Sequence, residues 1–218
     1  MTGDRTVWER LGAYAGVCAV LALGIGYAIV FTTAADPRAA DADYARAILG
    51  ERMKWEWVTF VRLAGGTLIL WFMGTFAGRL RLAEGEPGRL ASAGFGLGVV
   101  WAGVWLLSGF FNSAAIRLAA DYGDPAGSRI AGVLAQETPY ALTGCISCAL
   151  VLATAFVALR SERFPKSYAY TTAALAPMFL VLAIADWYGA TPLGPTIVGL
   201  ALLWMAATSG VLISRGTS

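Results

Sequence analysis

Histidine is absent from the 218 residues, cysteine occurs three times, and Asp, Glu, Lys and Arg together make up 14% of the chain. Each shortage removes a class of chemistry. Without imidazole there is no bis-histidine haem, no His-bound zinc, no histidine-rich di-metal centre and no Ser-His-Asp triad. Three thiols cannot complete a four-ligand structural zinc site. Cys145 and Cys148 form a Cys-Ile-Ser-Cys run, but the third cysteine, Cys18, lies in an apolar stretch and leaves no second pair for a thiol relay, so apolar packing is expected of all three. The net charge of +2 is small, and its cations scatter without interleaved aromatic clusters, which speaks against a nucleic-acid partner.

What the chain has instead is apolar length. Hydrophobic residues make up 58% of it, against about half in soluble domains, whose charged share is nearer a quarter. A hydrocarbon core about 30 Å thick needs roughly 20 apolar residues per helix. Six stretches satisfy that, at about 8–33, 55–78, 90–116, 139–159, 168–187 and 193–214. The runs are continuous, without the ten-residue alternation of a barrel. The expected fold is therefore an all-α bundle of six transmembrane helices forming one domain, in contact with lipid on its outer surface. Arg5 and Arg10 at the front of the first stretch and Thr33-Ala34-Ala35 at its end imitate a secretory signal. Its apolar run exceeds the roughly 7 to 15 residues of a signal core, so a retained first span is expected.

An even number of spans puts both termini on one side. That side holds Arg5, Arg10, Arg79, Arg81, Arg89, Arg160, Arg163, Lys166 and Arg215, and the other holds Arg38, Arg46, Arg52, Lys54, Arg117 and Arg129. The excess of Lys and Arg favours cytoplasmic termini in a bacterial inner membrane. The opposite side then carries two long loops, at about 34–54 and 117–138. Gly85-Glu86-Pro87-Gly88, Gly123-Asp124-Pro125 and Phe164-Pro165 mark turns. Pro139 fits the first position of the fourth span, with Thr138 as its N-cap. Pro177 falls inside the fifth and is expected to kink it. Small residues such as Gly12 with Gly16, Gly65 with Gly66, and Gly94, Gly96 and Gly98 suit close helix packing.

Ionisable groups inside a bilayer cost about 2.5 to 3.5 kcal/mol at a helix centre on insertion scales, so each needs a reason. Glu56 stands in the first turn of the second span within Trp55-Glu56-Trp57, and Arg62 lies six residues on, about 9 Å deeper. Thr59 is three residues from each and suits a bridge between them. Glu137 opens the fourth span, and Asp186 closes the fifth beside Trp187 and Tyr188. Up-and-down topology gathers Glu56, Arg62, Asn112, Arg117, Glu137 and Asp186 in one leaflet. The expectation is a polar pocket there, with Glu56 and Asp186 as catalytic acids, and Trp55, Trp57, Arg62, Asn112, Glu137 and Trp187 around a substrate. Arg62 is expected to pair with Glu56 or Asp186.

Two likenesses bear on function. In Leu70-Trp71-Phe72-Met73-Gly74, in Arg79-Leu80-Arg81-Leu82-Ala83-Glu84-Gly85-Glu86-Pro87-Gly88-Arg89-Leu90 and in the Gly94 to Val100 run, the chain resembles a group of six-helix actinobacterial membrane proteins of unknown function. That likeness implies architecture and no activity. In Trp55-Glu56 and the later Asp186, the chain resembles the small integral membrane terpene cyclases. This second likeness implies acid catalysis on a prenylated substrate, without metal or other cofactor. Glu56 would be the proton donor, Asp186 its partner, and aromatic faces would stabilise a carbocation. The alternative is a noncatalytic membrane partner or ligand-sensing subunit, binding an apolar small molecule, a second membrane protein or another copy of itself. A proton or ion relay uses the same groups but lacks an inverted repeat.

Overall fold

A computed structural model describes residues 2–33, 35–36, 38–188 and 193–215. Ala34 of the signal-like Thr33-Ala34-Ala35 lies outside them. Seven helices follow in order: α1 (Thr2–Val30), α2 (Asp41–Gly50), α3 (Arg52–Glu84), α4 (Arg89–Ala120), α5 (Pro125–Arg160), α6 (Lys166–Trp187) and α7 (Gly194–Arg215). There is no strand among the described residues. All except α2 are long and apolar enough to cross a membrane, so the architecture is that of a multi-pass membrane protein.

The distribution of side chains is that of a protein whose solvent is lipid. Leu21, Ile25, Val100, Phe110, Val181 and Leu203 face outward, whereas Ser108, Thr143, Thr154, Thr172, Thr208 and Ser209 are buried. Several buried hydroxyls bond the carbonyl one turn back, Thr154 to Leu150, Thr208 to Trp204 and Ser209 to Met205, which satisfies a polar group where no water competes.

Helices α1, α3, α4, α5 and α7 form a closed ring in that order, α7 returning to α1, and α6 packs outside it on α5 and α7. The spans touch where side chains are small. A Cβ added at Gly12 would overlap Thr75, one at Gly16 would meet Phe72, one at Gly65 would meet Leu23 and one at Gly98 would meet Met73. Gly96, expected to share in this packing, opens on space instead.

Two connections expected as loops are largely helical. The stretch 34–54 contains α2, whose Tyr44, Ala45 and Ile48 are buried against the bundle. The stretch 117–138 is mostly helix, because α5 begins at Pro125 with Asp124 as its N-cap, Oδ1 accepting from Gly127 N–H at 3.0 Å. Proline at the first helical position needs no donor there, and Asp124 supplies the missing acceptor. Pro139 is therefore inside a helix of 36 residues, not at its start. Thr138 does not cap it; its hydroxyl donates to the Leu134 carbonyl at 2.6 Å.

The turns at Gly85 to Gly88 and after α6 share a device. Gly85 and Gly88 take φ of 81° and 65°, which glycine alone adopts without strain. Glu84, ending α3, reaches across that turn to accept from Leu90 N–H at 2.9 Å and Ala91 N–H at 2.8 Å at the start of α4. In the same way Asp186, near the end of α6, accepts from Leu193 N–H at 2.8 Å and Gly194 N–H at 3.0 Å at the start of α7. Each carboxylate satisfies orphan donors and faces the positive end of a helix dipole.

Candidate functional site

Arg62 is the one charged side chain among the described residues that is buried, at 6% exposure. It projects from α3 ten residues after Arg52, the first residue of that helix, and hence about 15 Å along it. Its Nη1 donates to the Ala135 carbonyl of α5 at 3.2 Å. That carbonyl is free for a covalent reason. In a regular helix it would accept from the N–H four residues on, and residue 139 is a proline, which has none. Ser108 of α4 donates to the same oxygen at 2.5 Å, so one carbonyl joins three helices.

Asn112, one turn after Ser108, extends the seam. Its Nδ2 donates to the Trp55 carbonyl at 2.9 Å and to Thr59 Oγ1 at 2.7 Å, and the Thr59 hydroxyl donates to the Trp55 carbonyl at 3.0 Å. Thr59 thus ties α3 to α4 and does not bridge Glu56 to Arg62.

The rest of the Arg62 environment is aromatic and neutral. Tyr27 of α1, Tyr44 of α2 and Tyr140 of α5 lie close enough to act on the guanidinium electrostatically. The Tyr27 ring stands 6.2 Å from Tyr140 and edge-on to Trp105 at 5.9 Å. Tyr44 is fully buried and fits because residue 132 is glycine: a Cβ there would overlap its hydroxyl oxygen. Burial pushes the Tyr44 hydroxyl up to about 12, with the Arg62 charge pulling the other way. The Tyr44 hydroxyl and the indole N–H groups of Trp55 and Trp105 are buried and make no hydrogen bond with a described residue.

The acids that drew attention in the sequence stand elsewhere. Glu56 is half exposed, and its Oε1 accepts from Arg52 Nε at 2.7 Å, one turn back on α3. Trp57 is exposed and packs edge-on to Phe60 at 5.8 Å. Glu137 is exposed and sits in the interior of α5, so it does not open a helix. Trp187 is exposed, and Asp186 caps α7. Helix α3, which carries Glu56, packs on α1 and α4; α6, which carries Asp186, packs on α5 and α7. The expected shared cavity of Glu56 and Asp186 is therefore corrected: helical phase turns Glu56 outward onto Arg52, and Asp186 is engaged at the start of α7. The expected ion pair of Arg62 with either acid is corrected as well, since no described carboxylate pairs with Arg62.

Of the sequence candidates, Trp55 and Asn112 are joined directly, and Arg62 meets Ser108, one turn before Asn112, at the Ala135 carbonyl. Tyr27, Tyr44, Tyr140 and Ser108 were missed. A proline at 139 inside an apolar run was the available signal, because it announces a free carbonyl at 135. No group of three or more His, Cys, Asp or Glu able to hold a metal occurs among the described residues. Cys18 and Cys145 are exposed on the outer surface, Cys148 is partly so, and none is bonded to another.

Chemically, the cluster centres on one buried cation. A guanidinium has five N–H donors in a planar fork suited to carboxylate or phosphate, and indole N–H is donor only. The arrangement suits an oxyanion better than it suits proton donation. No protein-family model, no curated protein and no solved structure matches the chain.

Proposed function

We propose that the chain is a noncatalytic, ligand-sensing membrane protein whose buried Arg62 takes the anionic oxygen head of an apolar molecule. One observation carries the reading: Arg62 is buried in a helix long and apolar enough to cross a membrane, with a carbonyl and tyrosines near it and no described carboxylate pairing with it. A buried charge left uncompensated is strongly unfavourable, whereas a paired, hydrogen-bonded one is tolerated. A carboxylate or phosphate on an apolar tail supplies the balance and suits an aromatic, lipid-embedded surround.

Helix α2 is placed to report occupancy. It is not a span, its buried Tyr44 lies within electrostatic reach of the same guanidinium, and its Asp41 pairs with Arg129 of α5. A head group that neutralises Arg62 changes the field at the Tyr44 hydroxyl, so binding and α2 are linked electrostatically. Acid catalysis on an isoprenoid draws no comparable support, because Glu56 faces outward with Arg52. The excess of Lys and Arg on the side of the termini supports cytoplasmic termini in a bacterial cell membrane.

The test is thermal unfolding in neutral detergent with an alkyl carboxylate series and alkanols of matched chain length. Carboxylates should raise the midpoint of the wild type and leave Arg62→Gln, which carries a neutral amide in place of the cation, unmoved. Equal shifts from carboxylate and alcohol, or equal shifts in both proteins, would remove the reading.

A further inference from the structure

A groove of about 780 Å³ runs between α1 and α3 at the end of the bundle that holds both termini. Its floor is one face of α3. Leu70, Gly74, Gly78 and Leu82 recur every four residues and line it. Nothing stands within 4 Å of where a Cβ at Gly74 or Gly78 would lie, so these glycines make depth and not close packing. Trp8 and Trp71 also line it, with rings 6.4 Å apart. From Leu70 to Leu82 the helix rises about 18 Å, close to one leaflet of a hydrocarbon core about 30 Å thick. The groove therefore has the length of an acyl chain's half of the bilayer.

Its mouth is charged in both signs. Glu9 is held by Arg79 at 2.7 Å across the α1–α3 contact. Arg81 and Glu86, opposite in charge, both line the groove, and neither forms an ion pair with the other or with another described residue. A purely anionic head would satisfy Arg81 and be repelled by Glu86. A head carrying phosphate and ammonium answers both.

We infer that this groove is a binding site for a phospholipid with an amine-bearing zwitterionic head, phosphate toward Arg81 and ammonium toward Glu86, with one acyl chain along Gly74 and Gly78. The site is separate from Arg62 and lies in the other leaflet, so its occupant is a resident lipid and not the ligand of the buried cluster.

The experiment is native mass spectrometry of the full chain released from nanodiscs holding equal phosphatidylethanolamine and phosphatidylglycerol. The wild type should retain one phosphatidylethanolamine, in about tenfold preference over phosphatidylglycerol. Gly78→Leu adds bulk to the groove from a Cβ that has no protein atom within 4 Å, and should lose that adduct while still responding to alkyl carboxylates. Should Gly78→Leu fail to fold, the charge variants decide: Glu86→Gln lowers the preference to near parity, and Arg81→Gln weakens retention of both lipids without abolishing the preference. Equal retention of the two lipids by the wild type would overturn the proposal. So would an undiminished adduct in Gly78→Leu, or an undiminished preference in Glu86→Gln.

Discussion

Pro139 and Arg62 are joined through one atom, the carbonyl oxygen of Ala135. The proline withholds the N–H that would have occupied that oxygen, and the guanidinium and the Ser108 hydroxyl take its place at 3.2 and 2.5 Å. A helix defect on α5 is thereby the acceptor that holds α3 and α4. Ser108→Ala removes one of the two donors and leaves the other. The expected loss is about 1 kcal/mol, the net value of one intramolecular hydrogen bond, seen as a lower unfolding midpoint with the helix content unchanged. A loss of several kcal/mol would mean that Ser108, and not Arg62, anchors the seam.

The acids Glu84 and Asp186 act at turns. Glu84→Ala and Asp186→Ala should each destabilise by about 1 to 2 kcal/mol, combining lost caps with lost dipole interaction. Hydrogen exchange should quicken at Leu90 and Ala91 in the first variant and at Leu193 and Gly194 in the second. Were Asp186 a catalytic group with no structural part, Asp186→Ala would leave those amides protected.

Tyr44 gives a dependence on alkaline pH. Its hydroxyl titrates near 12 in the folded chain against 10.0 for a free tyrosine. A raised folded value means that the neutral form is favoured by folding. The stabilisation is complete below pH 10, declines between pH 10 and about 12, and is gone above that. Two units correspond to an order of 2 to 3 kcal/mol. Hydrogen exchange across α2 should rise through this window in the wild type. Tyr44→Phe, with no proton to lose, should show no such rise from this source.

Gly132 and Tyr44 are fitted to one another. Gly132→Ala places a methyl group where the Tyr44 hydroxyl lies, an overpacking expected to cost about 1 to 3 kcal/mol. Proteolysis within α2 should become faster. Combining Gly132→Ala with Tyr44→Leu should be less damaging than the sum of the two single changes, because the shorter side chain vacates the contested volume. Strict additivity would place the two residues out of contact.

The six apolar helices were legible because hydrophobic length is a strong signal and the bilayer fixes how much is needed. α2 was not, since ten residues with mixed polarity carry too little periodicity to stand out from a loop. The start of α5 was misplaced because the polar stretch before Pro139 was read as the aqueous side, although Pro125 with Asp124 already carried a helix start. That Arg62, Asn112 and Glu56 lie toward one end of the bundle could be read from the up-and-down topology. Which of them turns inward could not, because that depends on the rotation of α3 against α1 and α4. Packing of Gly65 on Leu23 and of Leu63 on Gly109 sets that rotation, and with it Arg62 inside and Glu56 outside.

The most direct test of an anion at Arg62 is solid-state magnetic resonance on chain labelled with ¹⁵N at arginine, reconstituted with an alkyl carboxylate carrying ¹³C at its head. A dipolar coupling between that carbon and one arginine side chain, lost in Arg62→Gln and kept in Arg52→Gln, is the expected result. Coupling that survives Arg62→Gln, or its absence at saturating carboxylate, would contradict the assignment of Arg62 as the ligand's counter-ion.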